Sequence, residues 1–106
     1  HHTIEAHYSS QFDMLWRIIL GYPLGNTEVI MPSIMVNIIG AEGFSGDVKY
    51  EGLEEVLKIE NAFVHLYGKK QTKPGRKMGH VTILSKEKQE LIHQSTKIKR
   101  LLLPKA

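Results

Sequence analysis

Apolar residues recur at helical spacing from Ser10 to Leu20. Phe12, Leu15, Trp16, Ile19 and Leu20 fall at i, i+3, i+4, i+7 and i+8 and share one face. Ser9 or Ser10 can cap this helix, and Gly21 and Pro23 stop it. Trp16 sits on the apolar ridge and is expected in the core. A turn follows over Leu24 to Glu28. Ile30 to Ile39 then reads as a strand with both faces covered, Ile34, Val36 and Ile38 on one side and Met35 and Ile39 on the other. Pro32 belongs near its start or edge, and Asn37 calls for a buried hydrogen bond or an edge position. Gly40 to Gly52 carries four glycines and reads as a loop. Leu53, Val56 and Leu57 give a short helix.

Two further strands come next. Ala62 to Tyr67 sets Phe63, His65 and Tyr67 opposite Val64 and Leu66, and Met78 to Leu84 follows after the loop Gly68 to Lys77. They are expected to pair antiparallel. Lys86 to Leu103 is a helix, with Leu91, Ile92, Ser95, Ile98 and Leu102 near helical spacing. Ser85 can cap it, Glu87 suits its N-terminal end, Lys97, Lys99 and Arg100 suit its C-terminal end, and Pro104 terminates it. The order α-β-α-β-β-α is an α+β fold: a small antiparallel sheet with an N-terminal and a C-terminal helix.

The chain has 106 residues, enough for one domain. Cysteine is absent, which excludes a disulfide scaffold, a thiolate metal site and a cysteine nucleophile. No apolar run approaches the ~20 residues that span a bilayer, and no secretory leader is visible, so a cytoplasmic protein is expected. Fourteen basic against 11 acidic residues leave +3, a modest excess, so the placement of charge matters more than its sum.

That placement points to Tyr67–His80, YGKKQTKPGRKMGH. Lys69, Lys70, Lys73, Arg76 and Lys77 put five cations into nine residues with no acid among them. Lysine as a point charge and arginine as a bidentate fork, on glycine-rich backbone, suit a phosphate. The plain alternative is a solvated, charged loop. Nucleic acid ranks lower, because Tyr67 is the only aromatic near the loop and no helix-turn-helix or finger pattern is present. His65 and His80 flank the loop and could face each other, as structural histidines rather than catalytic ones. His1, His2, Glu5 and His7 could be imagined as a metal cluster, but a frayed or tagged terminus explains them better. His93 reads as surface. Gly40-Ala41-Glu42-Gly43-Phe44-Ser45-Gly46 lacks dinucleotide spacing, and neither a P-loop nor a nucleophile elbow is present.

The same segment carries a resemblance. Tyr67-Gly68-Lys69, followed by Lys73-Pro74-Gly75-Arg76-Lys77-Met78-Gly79-His80-Val81, resembles the C-terminal part of the 5-(carboxyamino)imidazole ribonucleotide synthase family. These are ATP-grasp ligases of purine biosynthesis, also known as the ATPase subunit of phosphoribosylaminoimidazole carboxylase. His1-His2-Thr3-Ile4-Glu5-Ala6 with Ser10-Gln11-Phe12 is similar to a second family run. Gly21-Tyr22-Pro23-Leu24-Gly25 and Met35-Val36-Asn37-Ile38-Ile39-Gly40 are looser matches. The matches keep the family's order, and they make His1 and His2 native sequence.

The resemblance implies one domain over residues 1–106, the C-terminal part of a longer enzyme. In that enzyme ATP turns bicarbonate into carboxyphosphate, and the amine of aminoimidazole ribonucleotide takes the carboxyl group. It further implies that Lys69 and Arg76 hold the ribonucleotide's 5′-phosphate, with Lys73, Lys77 and His1 as possible secondary contacts. No catalytic residue and no metal ligand is expected within this part, which alone should be inactive. ATP and magnesium belong to the missing N-terminal ATP-grasp domains, and the full-length enzyme is expected to be a homodimer. Lys73 stands where the family has arginine, His2 where it has tyrosine or tryptophan, and His7-Tyr8-Ser9 replaces a cysteine-containing run. The competing class is a non-catalytic basic module for nucleic acid or an acidic partner. A third reading is a structural piece that is silent without its other domains.

Overall fold

The run Lys77–Leu84 joins β-branched residues to a glycine and a histidine, and it forms the central strand of the main sheet. The computed structural model describes residues 1–106. Its elements are α1 (Thr3–Ala6), α2 (Gln11–Leu20), β1 (Ser33–Ile39), β2 (Gly46–Asp47), β3 (Lys49–Glu51), α3 (Leu53–Leu57), β4 (Ala62–Leu66), β5 (Gln71–Thr72), β6 (Lys77–Leu84), α4 (Lys88–Leu101) and β7 (Leu103–Lys105). The α+β class and the antiparallel β4–β6 pair agree with the sequence reading. The three-stranded sheet has the order β1-β6-β4, and the pairs β2-β5 and β3-β7 form two small sheets.

One face of the main sheet holds the core. Val36 and Ile38 of β1 and Met78, Val81 and Ile83 of β6 pack with Val56 of α3 and Leu91, Ile98 and Leu102 around α4. Burial of such branched side chains stabilises each by about 1.5–3 kcal/mol. The helical spacing of α4 holds at Leu91, Ser95, Ile98 and Leu102, while Ile92 is exposed. His93 lies on the surface as expected.

Several expectations are corrected. The strand β1 was expected to be covered on both faces, yet Met35, Asn37 and Ile39 are exposed, because α4 covers only the other side. Asn37 takes the edge option, since β1 is an outer strand. The strand starts at Ser33 rather than Ile30: Pro32 offers no N–H, and its carbonyl accepts from Ser85 N–H at 3.1 Å. The glycine-rich loop contains β2 and β3, and the basic loop contains β5. Pro104 does more than end a helix, because it is buried in β7 opposite Tyr50. Ser85 is not the cap of α4. Its hydroxyl accepts from Glu87 N–H at 3.0 Å and donates to Glu90 Oε2 at 2.7 Å, bracing the turn before the helix.

The largest correction is α2. Its bounds and cap follow the sequence: Ser10 Oγ accepts from Asp13 N–H at 3.0 Å. However, none of its residues is buried, and Trp16 is 62% exposed rather than core. Phe12 meets the edge of the His1 ring at 5.9 Å, and the rest of the apolar ridge is more than half exposed.

Candidate functional site

The basic loop leaves the sheet at a bulge. Ile38 pairs with Gly79 and Ile39 with Lys77, so Met78 is the extra residue, and the strand bends there. The loop is then clamped to the end of β1. Gly40 N–H donates to Arg76 O at 2.8 Å, and Gly75 N–H donates to Gly40 O at 3.0 Å. A side chain at Gly40 would overlap Lys73 O and Thr72 Oγ1, so only glycine permits this approach. The glycine-rich segment therefore shapes the basic loop, a link that sequence reasoning missed because it joins residues far apart along the chain.

The five cations of the loop divide into two groups. Lys69 Nζ donates to Lys77 O at 2.7 Å, and Arg76 Nη1 donates to Gln71 O at 2.9 Å. Lys70, Lys73 and Lys77 are exposed, and their side chains make no hydrogen bond. None of the five forms an ion pair with a carboxylate. Lys69 and Arg76 are thus held by backbone carbonyls while further N–H donors remain free for an anion. A groove of about 470 Å³ opens beside the loop, with Lys69 and Lys70 among its lining residues. Arg76 does not line that groove, so the groove by itself does not unite the two anchored cations.

A second cluster lies on the sheet face opposite the core. His65 of β4 and His80 of β6 are register partners, as the alternation allowed, and their rings stack at 4.7 Å and 20°. His65 Nε2 meets Glu5 Oε1 of α1 at 2.5 Å. Tyr67 Oη lies 2.9 Å from His80 Nδ1 and 3.1 Å from His1 Nδ1. The ammonium of Lys69 stands 5.9 Å from the Tyr67 ring centroid, and this connects the cluster to the basic loop. His1 is therefore brought to Lys69's side of the site, whereas Lys73 and Lys77 remain apart from the cluster. Sequence reasoning paired the two histidines and set Tyr67 on the face of His65, but it missed that Glu5 and His1 join them, since these arrive through the fold of the N-terminal segment around α1.

The imagined cluster of His1, His2, Glu5 and His7 does not form. His2 and His7 meet each other at 3.3 Å, while His1 and Glu5 turn toward His80 and His65. Glu5, His65 and His80 do bring one ligand atom each within 4.8 Å. Yet nearly parallel imidazoles do not aim their lone pairs at a common point, and His65 Nε2 is already engaged by Glu5.

Burial above all, then the neighbouring His65, holds the His80 imidazole below the usual histidine range. Once unfolded, the ring returns to about 6.5. The unfolded chain then binds a proton that the fold resists, so stability falls as pH drops below about 6.5, until His80 protonates in the fold as well. Glu5 from α1, His65 from β4, Tyr67 just past the end of β4, and His1 face this ring. Thermal unfolding across that range measures the effect. His80→Asn should flatten the acid limb, and an unchanged limb in the variant would remove His80 as its source.

A sequence model of the family Phosphoribosylaminoimidazole carboxylase C-terminal domain matches residues 33–94, more than half of the chain. The chain belongs to this family. Beyond the matched phosphoribosylaminoimidazole carboxylase C-terminal domain, the likeness runs back through α1 and α2. The chain is 40% identical over 104 residues to the N5-carboxyaminoimidazole ribonucleotide synthase of Aquifex aeolicus (strain VF5), covering 96% of this chain and 26% of that protein. It is 39% identical over 97 residues to the synthase of Bacillus subtilis (strain 168), covering 91% of this chain and 24% of that one. The chain spans about a quarter of the length of these relatives. The crystal structure of the N5-carboxyaminoimidazole ribonucleotide synthetase from Thermotoga maritima superposes with a TM-score of 0.94 at 42% identity, covering all of this chain and 30% of that one. A synthase from Aspergillus clavatus, solved with ADP and 5-aminoimidazole ribonucleotide, gives 0.77 at 37% identity over 94% of this chain and 27% of that one.

Proposed function

We propose that this chain is the C-terminal part of an ATP-dependent ligase that carboxylates aminoimidazole ribonucleotide, and that it supplies the loop for the ribonucleotide's phosphate. The observation that carries the assignment is the pair Lys69 and Arg76. Both are anchored to backbone carbonyls, and neither has a carboxylate partner. Prearranged cations without counter-charge suit a phosphate dianion, and the family match supports a ribonucleotide as its source. Lys73, Lys77 and His1 are secondary contacts in this reading.

ATP supplies the phosphoryl group that activates bicarbonate, and the exocyclic amine of the ribonucleotide then displaces phosphate to take the carboxyl group. This chain's own part is to hold and orient the ribonucleotide. Glu5, His65 and His80 do not aim at a common point, and one carboxylate with two imidazoles is a poor set for magnesium, which prefers oxygen. In this reading, on the resemblance, ATP and magnesium belong to the remainder of the longer protein, and residues 1–106 alone do not turn over. A homodimeric, cytoplasmic enzyme belongs to the same reading on the resemblance alone. No helix here is long and apolar enough to cross a membrane. The basic-module reading has less support, because the Lys69 ammonium stands over the Tyr67 ring, 5.9 Å from its centroid, where a base would have to stack.

Phosphate release by the full-length protein tests the assignment. Release should require ATP, bicarbonate and aminoimidazole ribonucleotide together. Release that ignores the ribonucleotide would overturn it.

A further inference from the structure

We infer that His80 is a positioning residue for the phosphate loop: braced by the Glu5–His65 pair, its Nδ1 fixes the Tyr67 hydroxyl, and Tyr67 in turn holds His1 and Lys69. The inference rests on the ribonucleotide reading above.

His80 is 1% exposed and is buried beneath α1. All of its polar contacts are at Nδ1, which lies 2.9 Å from Tyr67 Oη and 3.2 Å from His1 Nδ1. Its Nε2 is buried and has no partner. A buried N–H without an acceptor is costlier and rarer than an unused lone pair. The proton of the neutral ring therefore belongs on Nδ1, donating to Tyr67 Oη. The Tyr67 O–H then donates to His1 Nδ1 at 3.1 Å, and the three atoms are satisfied in one direction.

The brace behind this chain comes from the fold. A side chain at Gly79 would overlap His65 O, so glycine lets β4 and β6 approach closely enough for the rings to stack. His65 donates Nε2–H to Glu5, which fixes the ring that His80 rests on. In front of the chain, the Tyr67 ring lies under the Lys69 ammonium, and Lys77 O takes one of that ammonium's hydrogens. Tyr67 and His80 thus set where the lysine's remaining donors point. A tilt of the Tyr67 ring would move them, and displacements of that order weaken an oriented contact.

The test uses the full-length enzyme. An asparagine amide nitrogen can stand where histidine Nδ1 stands, and a glutamine amide nitrogen where Nε2 stands. His80→Gln should raise the Michaelis constant for aminoimidazole ribonucleotide about tenfold and leave that for ATP unmoved, and His80→Asn should restore most of the loss. Equal effects of the two variants, or an equal rise for ATP, would overturn the inference. Long-range proton–nitrogen spectra of the unmutated protein give a readout independent of activity and of variant folding. They should show His80 neutral with its proton on Nδ1, and a proton on Nε2 would overturn the inference. Should the protein show no ribonucleotide-dependent phosphate release, the functional reading fails, and the spectra still decide the His80–Tyr67 chain.

Discussion

Arg76→Ala in the full-length enzyme should raise the Michaelis constant for aminoimidazole ribonucleotide about 10- to 100-fold and leave that for ATP near its original value. The size follows from losing one charge-assisted contact to a phosphate, about 1.5–3 kcal/mol. Arg76 is suited to such a contact because its guanidinium does not have to search for its position: Nη1 is held by Gln71 O at 2.9 Å. Arg76→Lys should recover little, since an ammonium can supply neither the fork nor that anchor at the same time. Lys69→Ala should behave like Arg76→Ala, because Lys69 is anchored in the same way to Lys77 O. Lys73→Ala and Lys77→Ala should have smaller effects, since exposed side chains without a fixed geometry act mainly through screened charge. Initial-rate kinetics with each substrate varied in turn measure all five variants. An unchanged ribonucleotide constant for Arg76→Ala, or an equal rise for ATP, would remove the phosphate assignment.

The main elements were legible because their signals are local. The ridge of α2 and its Ser10 cap, the alternation in β4, the apolar run of β6, and the spacing of Leu91, Ser95 and Ile98 in α4 each lie within one helix or one strand. The cations were legible for the same reason, as five charges in nine residues. What stayed hidden depends on partners far along the chain. The strands β2, β3, β5 and β7 are two or three residues long and exist only because each finds a partner, as when Asp47 meets Gln71 and Tyr50 meets Pro104. The selection of Lys69 and Arg76 by backbone carbonyls, and the assembly of Glu5, His65, His80 and Tyr67, need three-dimensional register that composition does not carry. Trp16 was misjudged for a different reason. An apolar ridge predicts burial, but it does not say that the covering surface lies within the same 106 residues.

That exposed ridge leads to the second large expectation. In residues 1–106 alone, α2 amides should exchange with solvent nearly as fast as an unstructured chain. In the full-length protein they should be protected by about a thousandfold or more. The helix has 10 residues and buries none of them. Helices shorter than about 12–15 residues are marginal in water without tertiary packing. The Ser10 cap and the Asp13–Arg17 pair at 3.1 Å contribute only about 1 kcal/mol and a few tenths respectively. Phe12, Leu15, Trp16, Ile19 and Leu20 are between 43% and 64% exposed, a ridge that aqueous solvent does not favour. In the proposed function the remainder of the longer protein covers it. Hydrogen exchange followed by mass spectrometry compares the two chains, and the β6 amides, which pair on both sides, serve as the internal control. Protection of α2 equal to that of β6 in the short chain would show that the helix needs no cover. Protection that rises with the concentration of the short chain would assign the ridge to a second copy instead.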